Sequence, residues 1–185
     1  MILNIRDAFA GCPEIETQRL RLRKLRHSDA AELLALYSDP EVMRFLDWQG
    51  VTAFEEAELL IAIFEQQQHR GKSLRWAMAD RQDDKLLGTL VVTDISSSKL
   101  CSIGYDLLPG MWGKGLMSEA LGALLSFLFE QLGFERIQAY VHPQNHASCR
   151  LLEKLGFERE ALLRRGAHHS GRDDLFDVLL YAKLR

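Results

Sequence analysis

Two glycines one residue apart, Gly113 and Gly115, join a short apolar strand to a long amphipathic helix. The strand reads Ile103-Gly104-Tyr105-Asp106-Leu107-Leu108 and is closed by Pro109-Gly110. The turn continues Met111-Trp112-Gly113-Lys114-Gly115-Leu116-Met117-Ser118, with Glu119 inside the first helical turn. Apolar residues then recur at Met117, Ala120, Leu121, Leu124, Leu125 and Leu128, the one-face spacing of a buried helix. The first N–H groups of such a helix have no intrahelical partner, and its dipole favours negative charge. Glycine lets a ligand come close to the backbone. The chemistry these features suit is anion binding, of phosphate or pyrophosphate above all.

Two familiar phosphate loops do not fit. A Walker-type loop needs Gly-x-x-x-x-Gly-Lys-Ser/Thr, but only two residues separate Gly110 from Gly113, and Gly115 follows Lys114 where a hydroxyl is required. A dinucleotide fingerprint needs Gly-x-Gly-x-x-Gly early in a βαβ unit, but Ser118 holds the third glycine position and the turn lies past mid-chain.

A third loop fits better. From about Ile15 to Leu184 the chain resembles the GCN5-related N-acetyltransferases (GNAT), and most closely the branch with the ribosomal-protein N-terminal alanine acetyltransferases. Three segments carry the resemblance in order and spacing. They are Glu16-Thr17-Gln18-Arg19-Leu20-Arg21-Leu22-Arg23; Ile103-Gly104-Tyr105 with Trp112-Gly113-Lys114-Gly115 and Glu119-Ala120; and Asn145-x-x-Ser148 with Leu151-Leu152-Glu153-Lys154-Leu155-Gly156-Phe157. The resemblance implies transfer of an acetyl group from acetyl-coenzyme A to a primary amine, with a protein or peptide N-terminus as the favoured acceptor. It implies that Trp112, Gly113, Lys114, Gly115, Leu116, Met117 and Ser118 form the pyrophosphate loop. The backbone of Leu107 and Leu108 would pair with the pantetheine arm, and Asn145 would orient the cofactor. Ser148 would donate to the departing sulfur, with Tyr105 as the second catalytic candidate.

The departures from the family pattern also carry information. The wider family begins its loop with Gln or Arg and has Gly or Ala five residues later; here Trp112 and Met117 stand there, which leaves the grip to backbone amides. Leu152 occupies the place of a frequent tyrosine acid. Ser102 replaces the glutamate of an Ala-Glu-Ile-Gly-Tyr strand, so no residue is marked as general base. Tyr105, Asp106 and His142 are the open choices. Each also has a plain structural reading, as core aromatic, turn acceptor and loop residue. Asn145 and Ser148 read alternatively as a helix cap and a small core residue. Phe45 and Trp48 line either an acceptor site or the core. Asp177 reads as a hydrogen-bond anchor, and His168-His169 as a solvated loop, since no third metal ligand is spaced near them.

Composition sets the frame. A chain of 185 residues, 47% hydrophobic and 26% charged, suits one domain over 1–185 with an N-terminal extension over 1–14. A formal net charge of −3 argues against nucleic acid as the main partner. Alternation puts Arg19, Arg21 and Arg23 on a solvated strand face, with Leu20 and Leu22 on the other. Cys12, Cys101 and Cys149 are too few and too scattered for a disulfide framework or a metal site, which suits a reducing cytoplasm. Asn4, Arg6 and Asp7 break up the apolar residues of Met1 to Pro13, unlike a signal peptide, and no run reaches the ~18 apolar residues of a membrane span. A homodimer is possible. A coenzyme-A-binding regulatory module, a small-amine acetyltransferase and a nucleotide-binding protein remain as alternatives.

The expected elements run as follows. A strand near Arg19 to Lys24 leads to a helix capped by Ser28, with Ala31, Leu33, Leu34 and Leu36 apolar. A second helix spans Thr52 to His69, boxed by Thr52 and Glu55 and ended by Gly71. Strands Leu74 to Asp80 and Leu86 to Ile95 form a hairpin, and Ser96-Ser97-Ser98-Lys99 turns into the next strand. After the glycine-led helix come a strand Arg136 to Val141, a helix Asn145 to Leu155 ended by Gly156, and strands near Phe157 to Leu163 and Leu175 to Leu184. These compose an α/β (α+β) fold with a mixed, mostly antiparallel sheet of about seven strands flanked by helices.

Overall fold

A computed structural model describes Ala8 and residues 11–96 and 99–185. The expectations for most of Met1 to Pro13, and for Ser97-Ser98 in the turn, lie outside the described residues. The strands are β1 Ile15–Glu16, β2 Leu20–Arg23, β3 Leu74–Asp80, β4 Leu86–Thr93, β5 Leu100–Leu107, β6 Arg136–Val141, β7 Glu158–His169 and β8 Asp174–Leu184. The helices are α1 Ala30–Tyr37, α2 Pro40–Met43, α3 Phe54–His69, α4 Leu116–Ser126 and α5 His146–Lys154. The eight strands form one sheet in the order β1-β2-β3-β4-β5-β6-β8-β7, antiparallel throughout except for β5 with β6. The extra strand beyond the expected seven is β1, whose two residues are too short to show alternation.

Pleat alternation divides the core. On one face Leu20, Leu22, Trp76, Leu90, Cys101 and Ile103 pack with Met117, Ala120, Leu121, Leu124 and Leu128 of the α4 segment and with Leu152 of α5. On the other face Ala77 and Leu86 pack with Leu33, Leu36 and Tyr37 of α1 and with Ala57 and Ile61 of α3. No helix among the described residues is long and apolar enough to cross a membrane.

β5 and β6 pair for only three positions, Leu100↔Arg136, Cys101↔Ile137 and Ser102↔Gln138. Beyond them β5 stays with β4 up to Leu107↔Gly88, and β6 stays with β8 up to Val141↔Leu179. The sheet therefore opens into a wedge in its own middle. At Gly88 the two strands meet so closely that an added Cβ would lie 2.1 Å from the Asp106 carbonyl oxygen.

Several local expectations are corrected. α1 is entered through a 3-10 turn, His27–Asp29, in which the Asp29 carboxylate accepts from the Arg26 N–H at 2.8 Å, so Asp29 rather than Ser28 does the capping. Ala30 is buried in place of Ala31. At α3 the box lies one residue later: Ala53 is the N-cap of a helix that starts at Phe54, and Glu56 accepts from the Thr52 and Ala53 N–H groups. His168 and His169 end β7 instead of forming a loop, and the buried His169 accepts at Nδ1 from the Gly171 and Arg172 N–H groups.

Arg23 is the largest correction, for it is 2% exposed while Arg21 of the same face is half-buried. Its guanidinium grips Asp29 through both Nη atoms at 2.8 and 2.9 Å. Nε donates to Asp84 Oδ1 at 3.0 Å, and the Lys24 and Asp84 carbonyls take further Nη donations. A fully hydrogen-bonded buried cation is tolerated, whereas removing one partner strands the other charge. Arg23→Ala is therefore expected to cost about 3 kcal/mol by urea unfolding, and Arg23→Lys to recover little, since an ammonium cannot reproduce the fork. Wild-type stability in the alanine variant would show that this cluster holds nothing together.

Candidate active site

The wedge opens into a cleft of about 890 Å³. Its lining includes Met111 to Gly113 and Gly115 to Ser118 of the loop, Ile103 to Leu107 of β5, Asn145 and Ser148, and Phe45, Trp48, Arg75 and Phe176.

The glycine loop has the backbone geometry that suits an anion. Gly113 and Gly115 have φ of +73° and +75°, a backbone conformation that side chains resist. The first intrahelical bond of α4 is from the Glu119 N–H to the Gly115 carbonyl at 3.1 Å, so the N–H groups of Leu116, Met117 and Ser118 precede any internal partner. A clamp that spacing alone does not reveal holds the loop from behind. Glu119 accepts from the Thr17 hydroxyl at 2.6 Å, the Arg19 N–H at 2.8 Å and Arg19 Nε at 2.7 Å. Arg19 Nη1 reaches on to the Lys114 carbonyl at 2.9 Å. Arg19 is thus part of the loop's support, on a strand face expected to be merely solvated.

The strand beside the loop presents a partly open edge. The Leu108 N–H, expected to serve the pantetheine arm, instead donates to the Leu87 carbonyl at 2.9 Å. Backbone direction alternates along an antiparallel strand, so the groups of Tyr105 and Leu107 face the wedge. The Leu107 carbonyl is already taken by Trp112 Nε1 at 2.8 Å. Trp112 therefore acts through its indole, tying loop to strand, where only its backbone was expected to matter.

Across the wedge, α5 begins at Asn145, whose Oδ1 accepts from the Ser148 N–H at 3.1 Å. This fixes Ser148 in the first helical turn, where its hydroxyl meets the Tyr105 hydroxyl at 2.6 Å. Burial pushes the Tyr105 phenol up to about 12 against the opposing effect of the Ser148 bond, so the phenol stays protonated at neutral pH. The pair is two hydroxyls linked by one short hydrogen bond. Ser102, at the position of the absent glutamate, is buried and accepts from Gln138 Nε2 at 3.2 Å.

The remaining base candidates take different places. Asp106 is no turn acceptor: it faces α1, accepting from the Tyr37 hydroxyl at 3.0 Å. His142 is no exposed loop residue. Its ring lies between Phe45 and Phe176, with centroids 5.1 and 5.7 Å away, and burial with Arg172 and Arg44 nearby pushes its pKa down. Asp177 is an anchor, accepting from the Arg165 N–H at 2.8 Å. Phe45 and Trp48 line the cleft, and Trp48 meets Tyr37 edge-on at 5.0 Å.

Burial opposes the charge on Glu119, but hydrogen bonds from Thr17 and Arg19 outweigh it and hold the carboxyl below its usual range. A lowered folded-state pKa gives stabilisation that is complete above the unfolded value of about 4.3 and is lost as pH falls through the folded value. The stability gap between wild type and Glu119→Gln is thus expected to be constant near pH 6 and to close below about pH 4. A gap that stays constant down to pH 3 would remove the ionised clamp from this account.

The comparisons with known proteins agree with this geometry. The acetyltransferase (GNAT) domain family matches residues 19–158. A Bacillus subtilis protein, the uncharacterized N-acetyltransferase YoaA, is 33% identical over 171 residues, covering 92% of this chain and 96% of that one. The ribosomal protein uS5 alanine N-acetyltransferase of Escherichia coli is 27% identical over 154 residues, covering 79% and 78%. The solved structure of RimL, a ribosomal L7/L12 alpha-N-protein acetyltransferase with coenzyme A, superposes with a TM-score of 0.81 at 25% identity, covering 93% and 98%. With a glycine-led loop, a split sheet and a pair of linked hydroxyls in place, the match over residues 19–158 is plain: the chain belongs to the GNAT family of acetyl-coenzyme-A-dependent N-acetyltransferases.

Proposed function

We propose that this acetyltransferase modifies the N-terminal amine of a protein or peptide. The observation that carries the reading is the lining of the cleft, which adds the aromatic rings of Phe45, Trp48 and Phe176 to the loop and the strand edge. A chain end can enter such a passage with its amine leading. The likeness to a ribosomal-protein alanine acetyltransferase and to RimL supports the same acceptor class.

Acetyl-coenzyme A supplies an activated thioester. In this reading the amides of Gly113, Lys114, Gly115, Leu116, Met117 and Ser118 receive its pyrophosphate, since oriented N–H groups at a helix start favour anions. The outward N–H groups of Tyr105 and Leu107 guide the pantetheine arm, and Asn145 fixes the turn that carries Ser148. Ser148 passes a proton to the departing thiolate and is resupplied by Tyr105 through their 2.6 Å bond. That donation strengthens only as charge develops on sulfur, so it favours the transition state over the bound substrate.

The acceptor is tested by mass spectrometry on N-terminal ribosomal peptides, polyamines, amino acids and aminoglycosides. Acetylation of peptide α-amines is expected; turnover confined to small amines would overturn the reading. Gly115→Val is expected to weaken acetyl-coenzyme A binding more than tenfold, over ~1.4 kcal/mol, by forcing a side chain into a φ of +75°. Unchanged affinity in the folded variant would remove the loop from the site. Ser148→Ala is expected to lower kcat by about 100-fold with little change in cofactor affinity. Wild-type turnover there would shift the donor role away from Ser148.

A further inference from the structure

Tyr105 and Asp106 are neighbours on β5, so the pleat sends their side chains to opposite faces of the sheet. Tyr105 meets Ser148 on the α4–α5 face, and Asp106 meets Tyr37 of α1 on the other. Asp106 and three side chains around it form a closed polar diamond. Arg75 Nη1 donates to the Tyr37 hydroxyl at 3.3 Å and to the Thr89 hydroxyl at 2.9 Å. Arginine cannot accept, so both hydroxyl hydrogens are free to turn the other way. Tyr37 donates to Asp106 Oδ2 at 3.0 Å, and the Thr89 hydroxyl, 3.0 Å from that of Tyr37 and 3.4 Å from Oδ2, has one hydrogen to share between them.

Among the described residues the second oxygen, Asp106 Oδ1, has no hydrogen-bond partner. Among the described residues the one sealed side-chain nitrogen or oxygen lacking a hydrogen bond is Arg75 Nε, so Oδ1 is open to the cleft that Asp106 lines. Arg75 itself is held over the Phe64 ring at 4.0 Å. A carboxylate anchored through one oxygen and free at the other, in an aromatic-walled cleft that must admit an amine, is placed to take a proton.

We propose that Asp106 is the general base of the acetyl transfer, acting on the acceptor amine through Oδ1, with Tyr37, Thr89 and Arg75 as positioning residues. The inference rests on the acetyltransferase reading but does not depend on which amine is the acceptor. The acceptor ammonium first gives one proton to solvent. The amine lone pair then forms the C–N bond as the C–S bond breaks; the second nitrogen proton goes to Asp106, and Ser148 protonates the thiolate. Base and acid thereby stand on opposite faces of one strand edge, with the reacting carbon between them.

The other charged groups nearby set the direction of the pH dependence. Burial raises the Asp106 pKa, Asp47 adds to it, and Arg75 and the two hydroxyl donors oppose it. His142 stands further along the same cleft wall. A base works when deprotonated, so kcat falls as pH drops through this value. Removing a donor in Tyr37→Phe weakens the carboxylate form and moves that acid limb to higher pH.

The test uses whichever amine, peptide or small, the wild type turns over fastest, so a wrong acceptor class and a wrong base give different results. Asp106→Asn is expected to lower kcat at least 100-fold while leaving the dissociation constant for acetyl-coenzyme A unchanged. Tyr37→Phe is expected to keep measurable turnover with its acid limb displaced to higher pH. The acceptor contributes the same limb to both enzymes, so only the displacement counts. Asp106→Asn with kcat within threefold of wild type would overturn the proposal. If that variant fails to fold, an unshifted limb in Tyr37→Phe overturns it.

Discussion

A β-sheet stays closed because each unpaired backbone N–H and C=O removed from water costs free energy, so a gap within a sheet has to be held open. Here β5 and β6 part after three paired positions, and each remains tied to an outer neighbour, β4 or β8. The helices α4 and α5 approach the gap from one face, and α1 with the Phe45–Trp48 segment from the other. Everything assigned to binding or chemistry lies on the walls of this gap. The loop at its end, the hydroxyl pair across it and the aspartate behind it would have no common space in a closed sheet.

Two charge clusters hold the surrounding frame, and their different exposure gives them different work. Arg23 with Asp29 is sealed between β2 and the entry to α1, and reaches the partly exposed Asp84 of the β3–β4 turn, which fixes three chain segments in one geometry. Arg19 with Glu119 is 45% and 19% exposed and spans from β2 to the start of α4. Solvent weakens the second pair as a source of stability. Its value lies in geometry: Arg19 holds the Lys114 carbonyl of the loop while it pairs with Glu119 at the start of α4.

Much of this was legible in the residues. Helical spacing from Met117 to Leu128 identified the buried face of α4, and β3 and β6 were placed to the residue because clear turn signals flank their apolar alternation. The Gly-x-Gly turn and the Asn145–Ser148 spacing pointed to the two sides of the cleft. What stayed hidden depends on contacts between distant residues. Nothing local distinguishes Arg23 from Arg21, since burial follows from Asp84 arriving 61 positions later. Thr17 and Glu119 are about a hundred positions apart. Asp106 read as a turn residue because Pro109 follows closely, whereas its partners come from α1, β3 and β4. The two-residue β1 carries too little pattern to register at all.

The close approach at Gly88 has a consequence for how the fold can vary. A side chain of any size there would strike the Asp106 carbonyl and force β5 to slide or bow away from β4. Because side chains alternate with period two, a slide of a single residue would exchange the environments of Tyr105 and Asp106, delivering a phenol to one wall and a carboxylate to the other. Such a protein would keep its core composition and lose the polarity of its cleft. The bare hydrogen at position 88 acts as a keyway, and the tolerance of the neighbouring strands to mutation ends there.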